Sequence, residues 1–328
     1  MGKTAISWAT HTVNWLAGCA HVSPACKHCY AETLSAQMAK SSTSPERYRD
    51  GVVNPTTGFW TGKVVYDPDA LSRVFDGLYN AKKPRRVFVN SMSDTFHKDA
   101  PVESLEDLAC AIREVDTLVR AGRPWPHVVM LLTKRPDRLL AWQREAFPSG
   151  LPRWVWVGCT VEDQRRANER VPLLCAVRTE GIRYVSCEPL LGPVELERID
   201  LTDDGTPTGH PGSFNALSGV WWPAVGDFEV EARERGYKGH ISWVIVGGES
   251  GEGARPMDPT WALGLRDESK GSGTAFHFKQ WGAYKPNAEG QMVLARKQEN
   301  GHELDGQVWQ EFPWPTFWPW PDAQGEAK

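Results

Sequence analysis

Six short apolar runs set the fold class before anything else: RVFVN (86–90), HVVMLL (127–132), WVWVG (154–158), RYVSC (183–187), SWVIVGG (242–248) and AFHFK (275–279). Each is strand-sized, and each is nearly continuous in apolar residues rather than alternating, the pattern of strands buried on both faces. Helix-like stretches stand beside and between them, at 30–40, 68–80, 102–121, 136–146, 163–179 and 258–270. Strands that alternate with helices imply parallel pairing through helical crossovers. The expected fold is therefore α/β, a partial or complete (β/α) barrel over residues 1–282, followed by an irregular extension at 283–328. An insertion at about 200–240, carrying DDGTPTGHPGS and GVWWPAVGDF, interrupts the rhythm and reads as a mobile lid or a hairpin. Residues 41–67 read as a loop closed by a short edge strand, GKVVY.

The polar residues gather where such a barrel places function. The six strands run out into NSMSDTFH, TKRPD, GCTVED, SCEPLLG, GGESGEGARP and KQWGAY. In a parallel barrel these C-terminal ends converge on one mouth. For a single member such as Ser93, Thr133 or Thr160 the bland reading is a helix cap.

A second feature lies upstream. GCAHVSPACKHCYAE holds three cysteines, Cys19, Cys26 and Cys29, within eleven positions, and runs straight into a helix-like segment. The chain has seven cysteines, an odd number. No apolar run approaches the ~18 residues of a membrane span, and MGKTAISWATH lacks the basic-then-apolar layout of a secretory signal. The expectation is a cytoplasmic protein, where thiols serve metals or chemistry rather than disulfides. A formal charge of −4 gives no broad basic face, so any nucleic-acid contact must be local. A structural zinc site wants four ligands, and here the fourth would come from His21, His28 or further away. A [4Fe–4S] cluster held by three thiolates keeps one iron open. Radical S-adenosylmethionine enzymes use that open iron to bind the cofactor's amino and carboxylate groups, and an electron from the cluster then releases a 5′-deoxyadenosyl radical.

The motifs HTVNWLAGCAHVSPACKHCYAE, VFVNSMSDTFH, LLTKRPDRL, WVGCTVED, VSCEPLLGPV, VIVGGESGEGARPM and FHFKQWG together resemble the bacteriophage-associated three-cysteine-motif family, which is similar to the radical S-adenosylmethionine superfamily. The superfamily spaces its thiols Cx3CxxC with an aromatic before the third; here the spacing is Cx6CxxC, that place is His28, and Tyr30 stands nearby as a ring. Where the family tends to carry a further cysteine in the helix before KQWG, this chain has Ser269. The resemblance implies a [4Fe–4S] cluster on Cys19, Cys26 and Cys29, with S-adenosylmethionine across the neighbouring strand ends. Ser91, Ser93 and Asp94 would then meet the cofactor's amino group, and Glu162 or Asp163, with Glu188, a ribose hydroxyl pair. Gly247 and Gly248 would let a ligand approach the backbone.

Lys134, Arg135, Arg255, Lys279, Gln280 and Trp281 offer a positive, stacking-capable wall to a nucleotide, a nucleic-acid base or a similar polar substrate. The bland alternative there is a structural ion pair, such as Arg135 with Asp137, and a tryptophan plugging the barrel end. Glu249 is a candidate catalytic carboxylate. Cys159 and Cys187, at strand ends, are candidate hydrogen-atom donors if their side chains turn inward rather than into the helix layer. Cys110 and Cys175 sit in helical patterns and read as small core residues. An enzyme of this type needs an electron donor protein, and a phage- or operon-encoded partner is a further expectation. A different class stays open: a non-catalytic binding protein stabilised by zinc on the three cysteines and a histidine.

Overall fold

The computed structural model describes residues 1–201, 212–223, 239–295 and 301–313. Its centre is an eight-stranded sheet curled into a half-barrel, in the order β1 (Gly2–Lys3), β2 (His11–Val13), β5 (Arg86–Val89), β6 (Val128–Thr133), β7 (Val155–Thr160), β8 (Arg183–Cys187), β12 (Trp243–Gly247), β13 (Ala275–Gln280). From β2 onward every neighbouring pair is parallel, and only β1 runs antiparallel. The six expected strands are all present within two residues of their expected ends. The first parallel strand is one that the apolar runs do not mark. It is His11–Val13, three residues long, and the chain then leaves the sheet so that β3 (Leu16–Ala17) pairs with β4 (Val65–Tyr66), the expected edge strand.

Between the strands lie α1 (Tyr30–Ala39), α2 (Pro68–Tyr79), α3 (Val102–Arg120), α4 (Pro136–Ala146), α5 (Gln164–Ala176) and α6 (Pro259–Ser272). Asp67, Asp163 and Asp258 cap α2, α5 and α6 by accepting a backbone N–H of the first turn. Asp163 is thereby spent as a helix cap, whereas Ser93, Thr133 and Thr160 cap none of these helices.

Alternation along each strand divides the core into two layers. The convex layer, against the helices, takes Val87, Val89, Val129, Leu131, Val155, Val157, Cys159, Val185 and Cys187. The concave layer takes Phe88, Val128, Met130, Trp156, Tyr184, Trp243 and Ile245, joined by Trp8. A buried tryptophan removes roughly 200 Å² from water, about 5 kcal/mol of transfer free energy, so this aromatic floor is a principal source of stability. The expected C-terminal extension helps to close it. Residues 309–311 bond along the edge of β13, and Phe312 packs 5.2 Å from Trp243 with the Arg86 guanidinium 4.3 Å from its ring.

Within the expected insertion, β10 (Gly212–Asn215) and β11 (Val220–Pro223) form a hairpin, and β9 (Ile199–Asp200) adds a third antiparallel strand. The remainder of DDGTPTGHPGS and of GVWWPAVGDF, and the tail beyond 313, lie outside the described residues. Among the described residues no helix is long and apolar enough to cross a membrane.

Candidate functional site

The concave side changes character toward the C-terminal ends of the strands. Above the aromatic floor the inward positions are Thr160, Ser186, Glu188, Gly247 and Lys279, with Lys134 reaching in from the end of β6 so that its ammonium stands 3.4 Å from the Thr160 hydroxyl. Glu188 is tied down on both oxygens: Oε2 accepts from Trp8 Nε1 at 3.1 Å and Ser186 Oγ at 3.0 Å, and Oε1 is 2.9 Å from the Lys279 ammonium.

The cysteine loop, from Gly18 to Cys29, crosses this mouth, and two arginines fasten it. After β5, buried Asp94 accepts from the Thr133 hydroxyl (2.7 Å) and Phe96 N–H (3.0 Å) on Oδ1, and from Lys134 N–H (3.1 Å) and Arg135 Nη1 (2.7 Å) on Oδ2. Arg135, itself buried, donates through Nη2 to the Ala20 carbonyl at 3.3 Å. After β12, buried Glu249 takes Arg255 in a fork, Nη2 at 2.6 Å and Nε at 2.8 Å, and Arg255 Nη2 donates on to the Pro24 carbonyl at 3.0 Å. Each clamp is a carboxylate on one strand end aiming a guanidinium at one part of the loop. Two hydroxyls complete the fastening: Ser93 donates to the Gly18 carbonyl and Tyr30, at the start of α1, donates to the Ser91 carbonyl at 2.6 Å.

Several sequence expectations change as a result. Asp94, expected to meet an ammonium group, already has four donors on its two oxygens, the full capacity of a carboxylate. Arg135 pairs with Asp94 rather than with Asp137, Arg135, Arg255 and Ser93 bind the loop itself, and Glu249 holds Arg255 in place to do so. Glu162, expected near a ribose, is fully buried and joins Arg170 of α5 at 2.8 Å. Gly247 and Gly248 do not open space for a ligand. A Cβ on Gly248 would fall 1.9 Å from the Trp281 carbonyl, and one on Gly247 would fall 3.1 Å from Glu188 Oε1, so both admit neighbouring protein.

Trp281 is buried at 4.9 Å from Phe278 and donates to the Glu303 carbonyl, which makes it core rather than a stacking wall. Gln280 bonds Ser250 at 2.8 Å. Cys159 and Cys187 both turn into the helix layer, fully buried. Burial pushes the Cys159 thiol up to about 12 and the Cys187 thiol well above its ordinary value, so neither is placed to quench a radical at the mouth. Cys175 is buried as expected, but Cys110 is exposed on α3.

The three loop thiols remain. Burial pushes Cys19 up to about 12, with Asp94 adding and Arg135 opposing; burial also raises Cys29, against Glu32's backbone and Lys134. Thiols held protonated by their surroundings are poor free nucleophiles, and they ionise on taking a metal. The proposed histidine ligands point elsewhere. His21 is 3.1 Å from both oxygens of Glu32, and His28 packs against Gly253, where an added Cβ would come within 2.8 Å of its ring. Among the described residues no three His, Cys, Asp or Glu side chains converge closely enough to hold a single metal ion. Three thiols in one clamped loop are soft donors of the kind that iron–sulfur and zinc chemistry both use.

Sequence reasoning missed Asn14, whose Oδ1 accepts from Met92 N–H at 2.8 Å and whose amide reaches Ser91 Oγ at 3.1 Å, joining the end of β2 to that of β5. A lone amide in the apolar run TVNWLAG was the available signal. Arg170, the buried partner of Glu162, was hidden in a charged helix face.

Fold and site together define a parallel half-barrel that carries a three-cysteine loop across its mouth. The chain belongs to the family described as a protein of unknown function, DUF5131, whose family model matches residues 3–313. No curated protein and no solved structure matches it.

Proposed function

We propose that this protein is a radical S-adenosylmethionine-type enzyme that holds a [4Fe–4S] cluster on Cys19, Cys26 and Cys29 and acts on a nucleotide, a nucleic-acid base or a similar polar substrate. The observation that carries the reading is the double clamp. Asp94–Arg135 and Glu249–Arg255 hold the loop at Ala20 and Pro24 across the strand ends without offering a fourth ligand. A loop fixed at two points presents its thiols with little conformational entropy left to lose. The likeness to the bacteriophage-associated three-cysteine family, on the motifs quoted above, supports the same reading. Cys19, Cys26 and Cys29 would hold such a cluster, and the chemistry it would supply there is one-electron reduction of a sulfonium.

The chain's own residues bind and orient. Lys134 and Lys279 carry positive charge into the mouth, and Glu188 sets a carboxylate beside Lys279, so a zwitterionic amino acid end or a phosphate meets fixed charges of both signs. The aromatic floor beneath excludes water. Cys159 and Cys187 face the helix layer, away from the mouth. An electron donor protein is required, a phage- or operon-encoded partner remains an expectation, and a cytoplasmic setting suits the reduced thiols. Anaerobic reconstitution tests the reading. It expects about four irons and four sulfides per chain with absorbance near 400 nm; a colourless protein with one zinc would replace it with the binding-protein reading.

A further inference from the structure

The cysteine loop has a second side, away from the barrel axis. There it and the segment ending in Phe59–Gly62 border an open cleft of about 610 Å³, lined by His21, Lys27, Glu32, Phe59 and Trp60 among others. That size is typical of a small-molecule site. Its polar groups form a definite pattern. Glu32 is buried at the base, where Oε1 accepts Trp60 N–H at 2.6 Å and both oxygens lie 3.1 Å from His21 Nε2. A carboxylate facing Nε2 makes Nε2 a donor and fixes the orientation of the ring. Phe59, 58% exposed, offers a ring face at the cleft. Lys27 adds an exposed cation, and the only lining acid, Glu32, is already committed to His21 and Trp60.

We propose that this cleft binds a nucleobase bearing a phosphate, as a free nucleotide or as the end of a nucleic-acid strand. The base stacks on Phe59 with its polar edge at His21, and Lys27 takes the phosphate. This names a ligand class and a subsite for the nucleotide reading above and rests on its substrate half, though not on the cluster.

Calorimetric titration of the reconstituted full-length protein tests it, with adenosine and uridine 5′-monophosphates, the two nucleosides, ribose 5-phosphate, inorganic phosphate and a five-nucleotide DNA as probes. The expected result is binding of the nucleotides, weakened about tenfold by Phe59→Ala, with Lys27→Ala reducing nucleotide affinity to that of the nucleoside. Both substitutions are at exposed positions and leave the fold intact. Tighter binding of the DNA than of the mononucleotides identifies a strand end as the source, and equal binding a free nucleotide; either supports the site. Ribose 5-phosphate binding as tightly as the nucleotides, or affinities unchanged in both variants, overturns it. Cleavage of S-adenosylmethionine by the same preparation, measured in parallel, separates the two claims: cleavage without nucleotide binding sinks the cleft and leaves the radical reading, and the reverse result does the opposite.

Discussion

Asp94→Asn removes one partner from a buried pair and strands the other. Asp94 and Arg135 are 6% and 8% exposed, so neither charge has much access to water. The amide that replaces Oδ2 would place donors against Lys134 N–H and Arg135 Nη1, which are donors themselves, while Oδ1 keeps Thr133 and Phe96. Breaking a buried pair from one side costs about 3–5 kcal/mol. Unfolding entropy of roughly 2.1 cal/mol/K per residue over 328 residues is about 0.7 kcal/mol/K, so Tm should fall by about 4–7 °C. Scanning calorimetry measures this directly. Adding Arg135→Met removes the stranded guanidinium and should recover at least half of the loss, since an apolar replacement of both partners is often neutral. If Asp94→Asn lowers Tm by less than about 1 °C, or if the double variant loses the full sum of the two single losses, the clamp is not the buried, coupled pair described here.

Glu249→Gln should cost less, about 1–2 kcal/mol, because Arg255 keeps 30% of its side chain in water and can rehydrate; urea denaturation compares the two clamps. Alanine at Cys19, Cys26 or Cys29 should abolish iron and sulfide uptake, whereas alanine at Cys159 or Cys187 should leave uptake intact at about 1 kcal/mol of stability each; elemental analysis of the five variants checks both. Burial lowers His97, His127 and His277 from 6.5 to about 4, so the native state resists protons that the unfolded chain accepts. That contribution to stability is complete above pH 6.5 and is lost as pH falls toward 4, which denaturation midpoints at pH 7 and pH 5 should show.

The barrel was legible because its information is local and repeated. Strands β5 to β8, β12 and β13 are four to six residues of mostly apolar sequence, and their places follow from composition to within two residues. The first strand was not: His11–Val13 is too short to carry a period, and the chain then leaves the sheet on an excursion that only the β3–β4 pairing reveals. At the site, residue types were easier to read than their directions. Asp94, Arg135, Glu249 and Arg255 were found as a cluster of functional candidates, but whether a strand-end carboxylate faces a ligand or a neighbouring arginine depends on contacts 41 and 6 residues away in sequence. Cys159 and Cys187 turn outward because alternation follows from Trp156 and Tyr184 filling the concave side, a choice that needs the sheet's curvature. Trp281 looked like a stacking wall because the Glu303 carbonyl that holds it comes from a hairpin with almost no apolar signal.

The central claim is that the clamped three-thiol loop serves radical chemistry, and one measurement bears on it most directly. The protein is reconstituted anaerobically with iron and sulfide, reduced, and incubated with S-adenosylmethionine, and 5′-deoxyadenosine is quantified by mass spectrometry. The account expects the product from the wild-type chain and none from Cys26→Ala. A wild-type preparation with its full complement of iron that neither binds S-adenosylmethionine nor yields 5′-deoxyadenosine would contradict it.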